Sequence, residues 1–286
     1  MSVVAEYRRV CQKGDQENYL FDKYVFRPFS IYFTILFIKL GIGANQTTLL
    51  SLAVALGSLW FLLGNHPGSM LGAAGLIFLY HLLDHVDGEL ARYYIGRGEQ
   101  EPSLAGQYYD VLVHSFSANL MLLFMSLGLF QLYGQGWIVV VGIVAAWGAS
   151  VFPRLVASQV LLQKIARDRT ASSDHPDVDR ALQALEWKGS QIAAVHERGL
   201  TAGKLKKLGI EIAGYPGTLY LLMGALVLDA ILPELASWLA LDRAGTVLFG
   251  LEPNVRLLLL MAVAFLGVVK IIYLTTQMSR LLRPIA

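Results

Sequence analysis

Two stretches decide how this chain folds: DHVDGELAR at residues 84–92 and GQYYDVLVH at residues 106–114. Each stretch places ionisable side chains near the end of a segment that is otherwise apolar enough to lie in a membrane. A charged side chain at the centre of a membrane helix costs roughly 2.5 to 3.5 kcal/mol. Carboxylates in such segments therefore indicate a functional site, and the rest of the chain indicates what kind.

The composition is that of an integral membrane protein. Hydrophobic residues make up 55% of the 286 residues, and charged residues only 15%. Several apolar runs approach the roughly 20 residues that a helix needs to cross a bilayer. The single cysteine, Cys11, leaves no intrachain disulfide, and its surroundings favour an inert thiol. The first 28 residues are too charged for the apolar core of a cleavable signal peptide, so we expect none.

The hydropathy pattern predicts an all-α membrane protein with six transmembrane helices. An aromatic, charged segment at residues 18–41, broken at Pro28, is expected to lie in the membrane interface as an amphipathic helix. The polar stretch 167–207 has helical spacing and predicts a cytoplasmic helical insertion between spans four and five. We therefore divide the chain into an N-terminal segment, 1–45, and a transmembrane domain, 46–286, which carries the acidic stretches. The predicted spans are 47–63, 70–94, 106–132, 137–160, 210–232 and 255–278.

The distribution of positive charge predicts the orientation. Of the 23 Lys and Arg residues, only Arg243 and Arg256 fall outside the segments that six spans would place on one side. Because positively charged loops stay in the cytoplasm, both termini and the acidic stretches are expected on the cytoplasmic side. We expect a bacterial inner membrane rather than an organelle membrane.

Helical periodicity brings the acidic residues together. Asp84, Asp87, Gly88 and Ala91 recur at i, i+3, i+4 and i+7, which is one face of a helix. Asp110 and His114 are separated by four positions on the next predicted helix, and the short connection favours antiparallel packing of the two helices. Their polar faces are therefore expected to meet.

Carboxylates without thiolates suit a hard divalent cation, Mg²⁺ before Zn²⁺. The small residues Gly88 and Ala91 would allow a polyphosphate to approach the helix, and Arg92 would pair with a phosphate or a carboxylate. A site of this kind at the membrane surface predicts one water-soluble reactant and one lipid-like reactant. His85 and Glu89 lie off the Asp84 face, which favours a structural or solvent-facing role for His85 and a structural role for Glu89 over a place in the metal shell.

The order of these residues resembles the signature of the CDP-alcohol phosphotransferase family. In that signature, two Asp precede Gly, Ala and Arg, and Gly, Asp and Asp follow. The chain is also similar to the family in its six predicted spans and its interfacial N-terminal helix. Seven of the eight signature positions are filled by Asp84, Asp87, Gly88, Ala91, Arg92, Gly106 and Asp110.

The resemblance implies an enzyme that transfers a substituted phosphate from a CDP-alcohol to an acceptor alcohol and releases CMP, in phospholipid or related lipid synthesis. It implies Mg²⁺ or Mn²⁺, as two ions, held by Asp84, Asp87 and Asp110. It also implies a homodimer in contact with membrane lipids and no nucleic acid partner. The cytidine diphosphate would be held by Gly88, Ala91, Arg92, Gly106 and Asn45, although Asn45 is equally explained as the cap of the first span.

The sequence departs from the family pattern in two places. His114 stands where the family has its fourth Asp, and the segment from Arg92 to Gly106 is longer than usual. We expect His114 to be the general base that deprotonates the acceptor alcohol, because its ordinary pKa is near 6.5, or to be a metal ligand. The lost carboxylate predicts a weaker or absent second metal.

Two other functions are compatible with the same residues. The chain would be a catalytically silent CDP-alcohol-binding homologue if His114 abolishes turnover. It would be a cation transporter if the acidic residues conduct ions, although the opposite halves of the predicted spans show no matching polar path.

Overall fold

The computed structural model describes residues 3–12, 21–100, 104–148, 217–238 and 254–282. The described residues are almost entirely helical and contain no strand, which confirms the predicted all-α class. The predicted insertion 167–207 and the end of the predicted fourth span lie outside the described residues. The helices are α1 Val3–Cys11, α2 Arg27–Leu40, α3 Ala44–Leu62, α4 Pro67–Gly96, α5 Leu104–Tyr133, α6 Trp137–Gly148, α7 Gly217–Trp238 and α8 Val255–Leu282.

The N-terminal segment is more helical than the sequence predicts. A π-helical turn, Asp22–Phe26, leads directly into α2, and the Arg27 N–H donates to the carbonyl of Asp22. Pro28 does not break this helix, because it lies in the first turn of α2, where a missing N–H costs little. The π-turn, which is wider than a regular helical turn, comes just before Pro28. A regular turn at this position would clash with the proline ring.

Three helices are long and apolar enough to cross a membrane: Ala44–Leu62, Pro67–Gly96 and the part of α5 from Leu112 to Tyr133. They coincide with the first three predicted spans and confirm an integral membrane protein. The apolar parts of the later helices are shorter, at Trp137–Gly148, Gly217–Leu232 and Val255–Val269. The six-span topology therefore stays a prediction.

Helix α4 is the centre of the described bundle. It packs against α1, α2, α3 and α7, and its side chains supply much of the buried core, including Ile77 and Tyr80. Large apolar residues on the outside of the bundle, such as Trp60 and Phe265, are exposed. In lipid such residues need no protein partner, so the bundle depends on close packing and buried polar contacts.

Small residues allow that close packing. A Cβ on Gly148 of α6 would collide with the backbone at Gly267 of α8, and a Cβ on Gly128 of α5 would collide with the carbonyl of Leu62. Glycines at these positions bring helix backbones into direct contact, as is common between membrane helices.

A buried ion pair joins α7 and α8. Asp229 Oδ1 accepts from the N–H of Val255 at 2.7 Å, and its Oδ2 accepts from Arg256 Nε at 2.9 Å and from the Arg256 backbone at 3.1 Å. Asp229 thus satisfies N–H groups in the first turn of α8 and neutralises a side chain that is 1% exposed. The pair lies near the C-terminal end of the apolar part of α7.

Candidate active site

The candidate site is built from the C-terminal half of α4 and the N-terminal half of α5. Helix α4 runs without interruption to Gly96, and α5 begins at Leu104. Side chains of the two helices meet where His114 of α5 contacts Asp84 and Tyr80 of α4. Asp84 of α4 and Asp110 and His114 of α5 come together.

His114 lies between the two carboxylates. Its Nε2 is 2.8 Å from Asp84 Oδ1 and 2.9 Å from Asp110 Oδ1, and its Nδ1 is 2.9 Å from the hydroxyl of Tyr80. Tyr80 is fully buried, whereas Asp110 is 45% exposed. The Tyr80 hydroxyl thus fixes the plane of an imidazole whose other nitrogen faces the carboxylates.

Asp87 lies one turn further along α4 and is not part of this group. Its Oδ2 accepts from the hydroxyl of Thr48 at 2.7 Å, and the carboxylate is mostly buried. Thr48 is also hydrogen bonded to the carbonyl of Ala44 at 3.1 Å. The structure therefore brings together three of the four residues proposed to bind metal and places the fourth against the start of α3.

The grouped residues fit a divalent cation. Their ligand atoms all lie within 4.8 Å of one another. In an octahedral site with bonds of about 2.0 to 2.1 Å, neighbouring ligand atoms are about 2.9 Å apart. His114 Nε2 stands at nearly this distance from one oxygen of Asp84 and one of Asp110. Two carboxylates and one imidazole suit Mn²⁺ as well as Mg²⁺.

The residues predicted to hold the nucleotide occupy the next turn of α4 and the start of α5. A Cβ on Gly88 would first meet the guanidinium of Arg92, at 3.4 Å, so that guanidinium lies over the glycine. Arg92 Nε donates to the carbonyl of Cys11, which ties this side chain to α1. Ala91 is partly exposed, and Gly106 lies in the first turn of α5.

Asn45 is exposed on the first turn of α3 and does not cap it. The N-cap is Gly43, whose N–H donates to Gln46 Oε1 at 2.9 Å. The reading of Asn45 as a helix cap is therefore wrong, because the backbone turns into the helix two residues earlier. Its predicted place at the cytidine site stays a prediction.

Comparison with known proteins identifies the family of this chain. A family model described as CDP-alcohol phosphatidyltransferase matches residues 42–185, half of the chain. The chain belongs to this family. No curated protein matches the sequence at a significant level. The matched range begins just before α3 and contains every residue of the candidate site on α4 and α5.

A second polar face of α4 anchors the N-terminal segment of this family member. Glu89 is fully buried, and its carboxylate accepts hydrogen bonds from Ser30 at 2.7 Å, Thr34 at 2.6 Å and Gln12 at 3.0 Å. Arg27 Nη1 lies 3.9 Å away. These contacts give Glu89 a structural role, as its position off the Asp84 face predicts.

The same region encloses Cys11. Its side chain is fully buried, and burial together with the charge of Glu89 raises the pKa of the thiol to about 11, against the opposing charge of Arg92. The thiol is therefore protonated at neutral pH, which agrees with the inert role read from the sequence.

A second cluster of ionisable residues adjoins the site. His81 and His85 of α4 face Asp22 of the π-turn and Tyr220 of α7, and His81 Nδ1 lies 3.9 Å from Asp84 Oδ2. Burial acts to raise the pKa of the Asp22 carboxyl, but the two imidazoles and the Tyr220 hydroxyl outweigh it and hold that pKa below its usual range. His85 does not face solvent; it contributes to a buried polar cluster.

Sequence reasoning missed two members of this cluster. The spacing of His81 and His85 is visible as i and i+4, but Asp22 lies 59 positions before His81 and Tyr220 lies 139 positions after it. No local pattern links residues at such separations.

Proposed function

We propose that this chain transfers a substituted phosphate from a CDP-alcohol to an acceptor alcohol and releases CMP. The observation that carries the proposal is the convergence of Asp84, Asp110 and His114 within a member of this family. Phosphoryl transfer needs positioned negative ligands and a group that accepts a proton. The three side chains offer both.

Asp84 and Asp110 would hold a Mg²⁺ or Mn²⁺ ion, with His114 as an alternative ligand and Asp87 near a second ion. When bound, such an ion offsets negative charge on the diphosphate and on the transferred phosphate. Asp87 is already hydrogen bonded to Thr48, and His114 supplies no negative charge, so a second ion would bind more weakly than the first.

His114 would accept the proton of the acceptor hydroxyl. Its Nδ1 faces Tyr80, so Nε2 is the nitrogen available both to a hydroxyl and to a metal. One lone pair serves one role at a time, and we assign it to the proton. In the productive tautomer Nδ1 carries hydrogen and donates to the Tyr80 oxygen, and the lone pair on Nε2 takes the proton.

Gly88, Ala91, Arg92, Gly106 and Asn45 would form the cytidine diphosphate cradle. Gly88 and Ala91 offer little side-chain bulk, and the Arg92 guanidinium over Gly88 supplies positive charge for a phosphate oxygen. The hydrogen bond from Arg92 Nε to Cys11 leaves the two terminal nitrogens for that contact.

The reaction would occur at the cytoplasmic surface of a bacterial inner membrane. One reactant would be lipid-like and would enter from the bilayer, and the enzyme would act as a homodimer in phospholipid or related lipid synthesis. The apolar outer surface of the helices supports contact with lipid, and the positive charge of the connecting segments supports the orientation.

The experiment is a measurement of CMP release by the purified full-length protein. A panel of CDP-alcohols is paired with a panel of alcohols, with Mg²⁺, with Mn²⁺ and with a chelator. We expect release with at least one pair, loss on chelation and loss in Asp84→Asn, with Gln135→Ala, an exposed change in the turn after α5, as the matched control. Nucleotide binding without release from any pair would identify a silent binding homologue and contradict the proposal.

A further inference from the structure

The cluster of Asp22, His81, His85 and Tyr220 lies outside the proposed transfer chemistry. His81 and His85 occupy one face of α4, Asp22 comes from the π-turn before α2, and Tyr220 comes from α7. Both His81 and Asp22 are less than 10% exposed. Three separate segments thus place four polar groups around one enclosed point.

Hydrogen bonding accounts for only part of this arrangement. The Tyr220 hydroxyl donates to Asp22 Oδ1, and His81 Nε2 lies 2.7 Å from the same hydroxyl. His85 Nε2 is buried and makes no hydrogen bond of good geometry among the described residues, although it lies 3.3 Å from Asp22 Oδ1. A buried nitrogen without such a partner is costly in a membrane protein.

The distances between the Asp22 oxygen and the two imidazole nitrogens are those expected in a tetrahedral metal site. Zinc bonds of about 2.0 to 2.1 Å place neighbouring tetrahedral ligands roughly 3.3 Å apart. Asp22 Oδ1 lies 3.3 Å from His85 Nε2 and 3.5 Å from His81 Nε2. Two imidazoles separated by four positions on one helix face are also a recurrent way to hold zinc.

We propose that Asp22, His81 and His85 form a second metal centre that binds Zn²⁺ or a similar divalent transition metal. Two nitrogen ligands and one oxygen favour such a metal over Mg²⁺. On metal binding, His81 Nε2 would exchange its contact with the Tyr220 hydroxyl for the metal, while that hydroxyl keeps its hydrogen bond to Asp22 and orients it. The centre would fasten the N-terminal π-turn to α4 beside Asp84, and it does not depend on the proposed transfer reaction.

The test measures Zn²⁺ binding to chelator-treated full-length protein by equilibrium dialysis with elemental analysis. The background is Asp110→Asn with His114→Gln, which removes two of the three grouped residues at the other site. We expect this background to bind one Zn²⁺ per chain, and added His85→Gln or Asp22→Asn to weaken the affinity at least about tenfold.

The matched control is His66→Asn in the same background. His66 is the N-cap of α4 and its side chain accepts from the N–H of Ser69, a role that Asn also fills. This variant should bind zinc as the background does.

Absence of saturable zinc binding in the folded background protein would overturn the proposal, and so would an affinity that neither His85→Gln nor Asp22→Asn changes. Asp22→Asn nearly preserves side-chain shape, so it gives the result if His85→Gln fails to fold.

Discussion

His114 has a different partner for each of its two nitrogens. Nδ1 faces the Tyr80 hydroxyl, and Nε2 faces Asp84 and Asp110. Because a hydroxyl can donate or accept, the Tyr80 contact is compatible with the tautomer in which Nδ1 carries hydrogen and Nε2 is basic, which is the tautomer that the proposed reaction needs. Tyr80 has no place in the family signature, and its role became visible only with the structure.

Tyr80→Phe tests this positioning role. The change keeps the buried ring and removes the hydroxyl, so we expect kcat for CMP release to fall about 10-fold or more, with little change in KM. We also expect the acid limb of the pH–rate profile to move, because the imidazole loses a partner. Tyr24→Phe, at an exposed residue, is the control. An unchanged rate and profile in Tyr80→Phe would show that Tyr80 only packs.

The sequence predicted the convergence of residues that lie on one helix face or on two consecutive helices. Asp84, Asp110 and His114 meet as helical spacing and antiparallel packing require. Spacing did not predict that Asp87 would bond to Thr48, because periodicity gives the face of a residue and not its partner. Asp22 and Tyr220 were missed because their contacts with α4 join distant parts of the chain.

At the scale of elements, α4 has polar residues on two faces. One face carries Asp84 and the other carries Glu89, which holds Ser30 and Thr34 of α2. The sequence predicted both the helix and the position of Glu89 off the Asp84 face. It did not predict that the N-terminal segment packs on that face, because the amphipathic pattern of residues 18–41 is equally compatible with the membrane interface.

Glu89→Ala should therefore detach the N-terminal segment. The change leaves buried hydroxyl donors without an acceptor, and breaking a buried charged contact typically costs about 3 to 5 kcal/mol. We expect a marked fall in the thermal unfolding midpoint in detergent. Glu99→Ala is the matched control, because Glu99 forms an exposed pair with Arg97 on the C-terminal side of α4, worth at most about 1 kcal/mol. Equal midpoints for the two variants would contradict the anchoring role.

At the scale of the whole molecule, hydropathy predicted the spans well where apolar runs are long. Helices α3 and α4 begin three residues before their predicted starts, and α8 begins at the predicted residue. The described apolar parts of α6, α7 and α8 are shorter than a typical span. Hydropathy of the full sequence predicts six crossings, and three of the described helices are long and apolar enough to be spans. The predicted orientation is based on the positive charge of the connecting segments. The positions of the helices do not test it.

Accessibility of introduced cysteines tests the orientation. Glu99→Cys lies beyond α4 on the side of the candidate site, and Gln135→Cys lies in the turn between α5 and α6. In intact bacterial cells, a membrane-impermeant maleimide should label Gln135→Cys, and it should label Glu99→Cys only after permeabilisation. The buried native Cys11 should remain unlabelled in both. The reverse pattern would place the site on the outer surface.

The central claim is that His114, held between Asp84 and Asp110, performs the proton transfer of a CDP-alcohol phosphotransferase. The most direct measurement compares CMP release by the wild type, His114→Ala and His114→Asp. A general base contributes typically about 10² to 10⁴ in rate, so His114→Ala should lose that factor. His114→Asp, which restores the family's usual residue, should recover part of it. Wild-type turnover by His114→Ala would contradict the account.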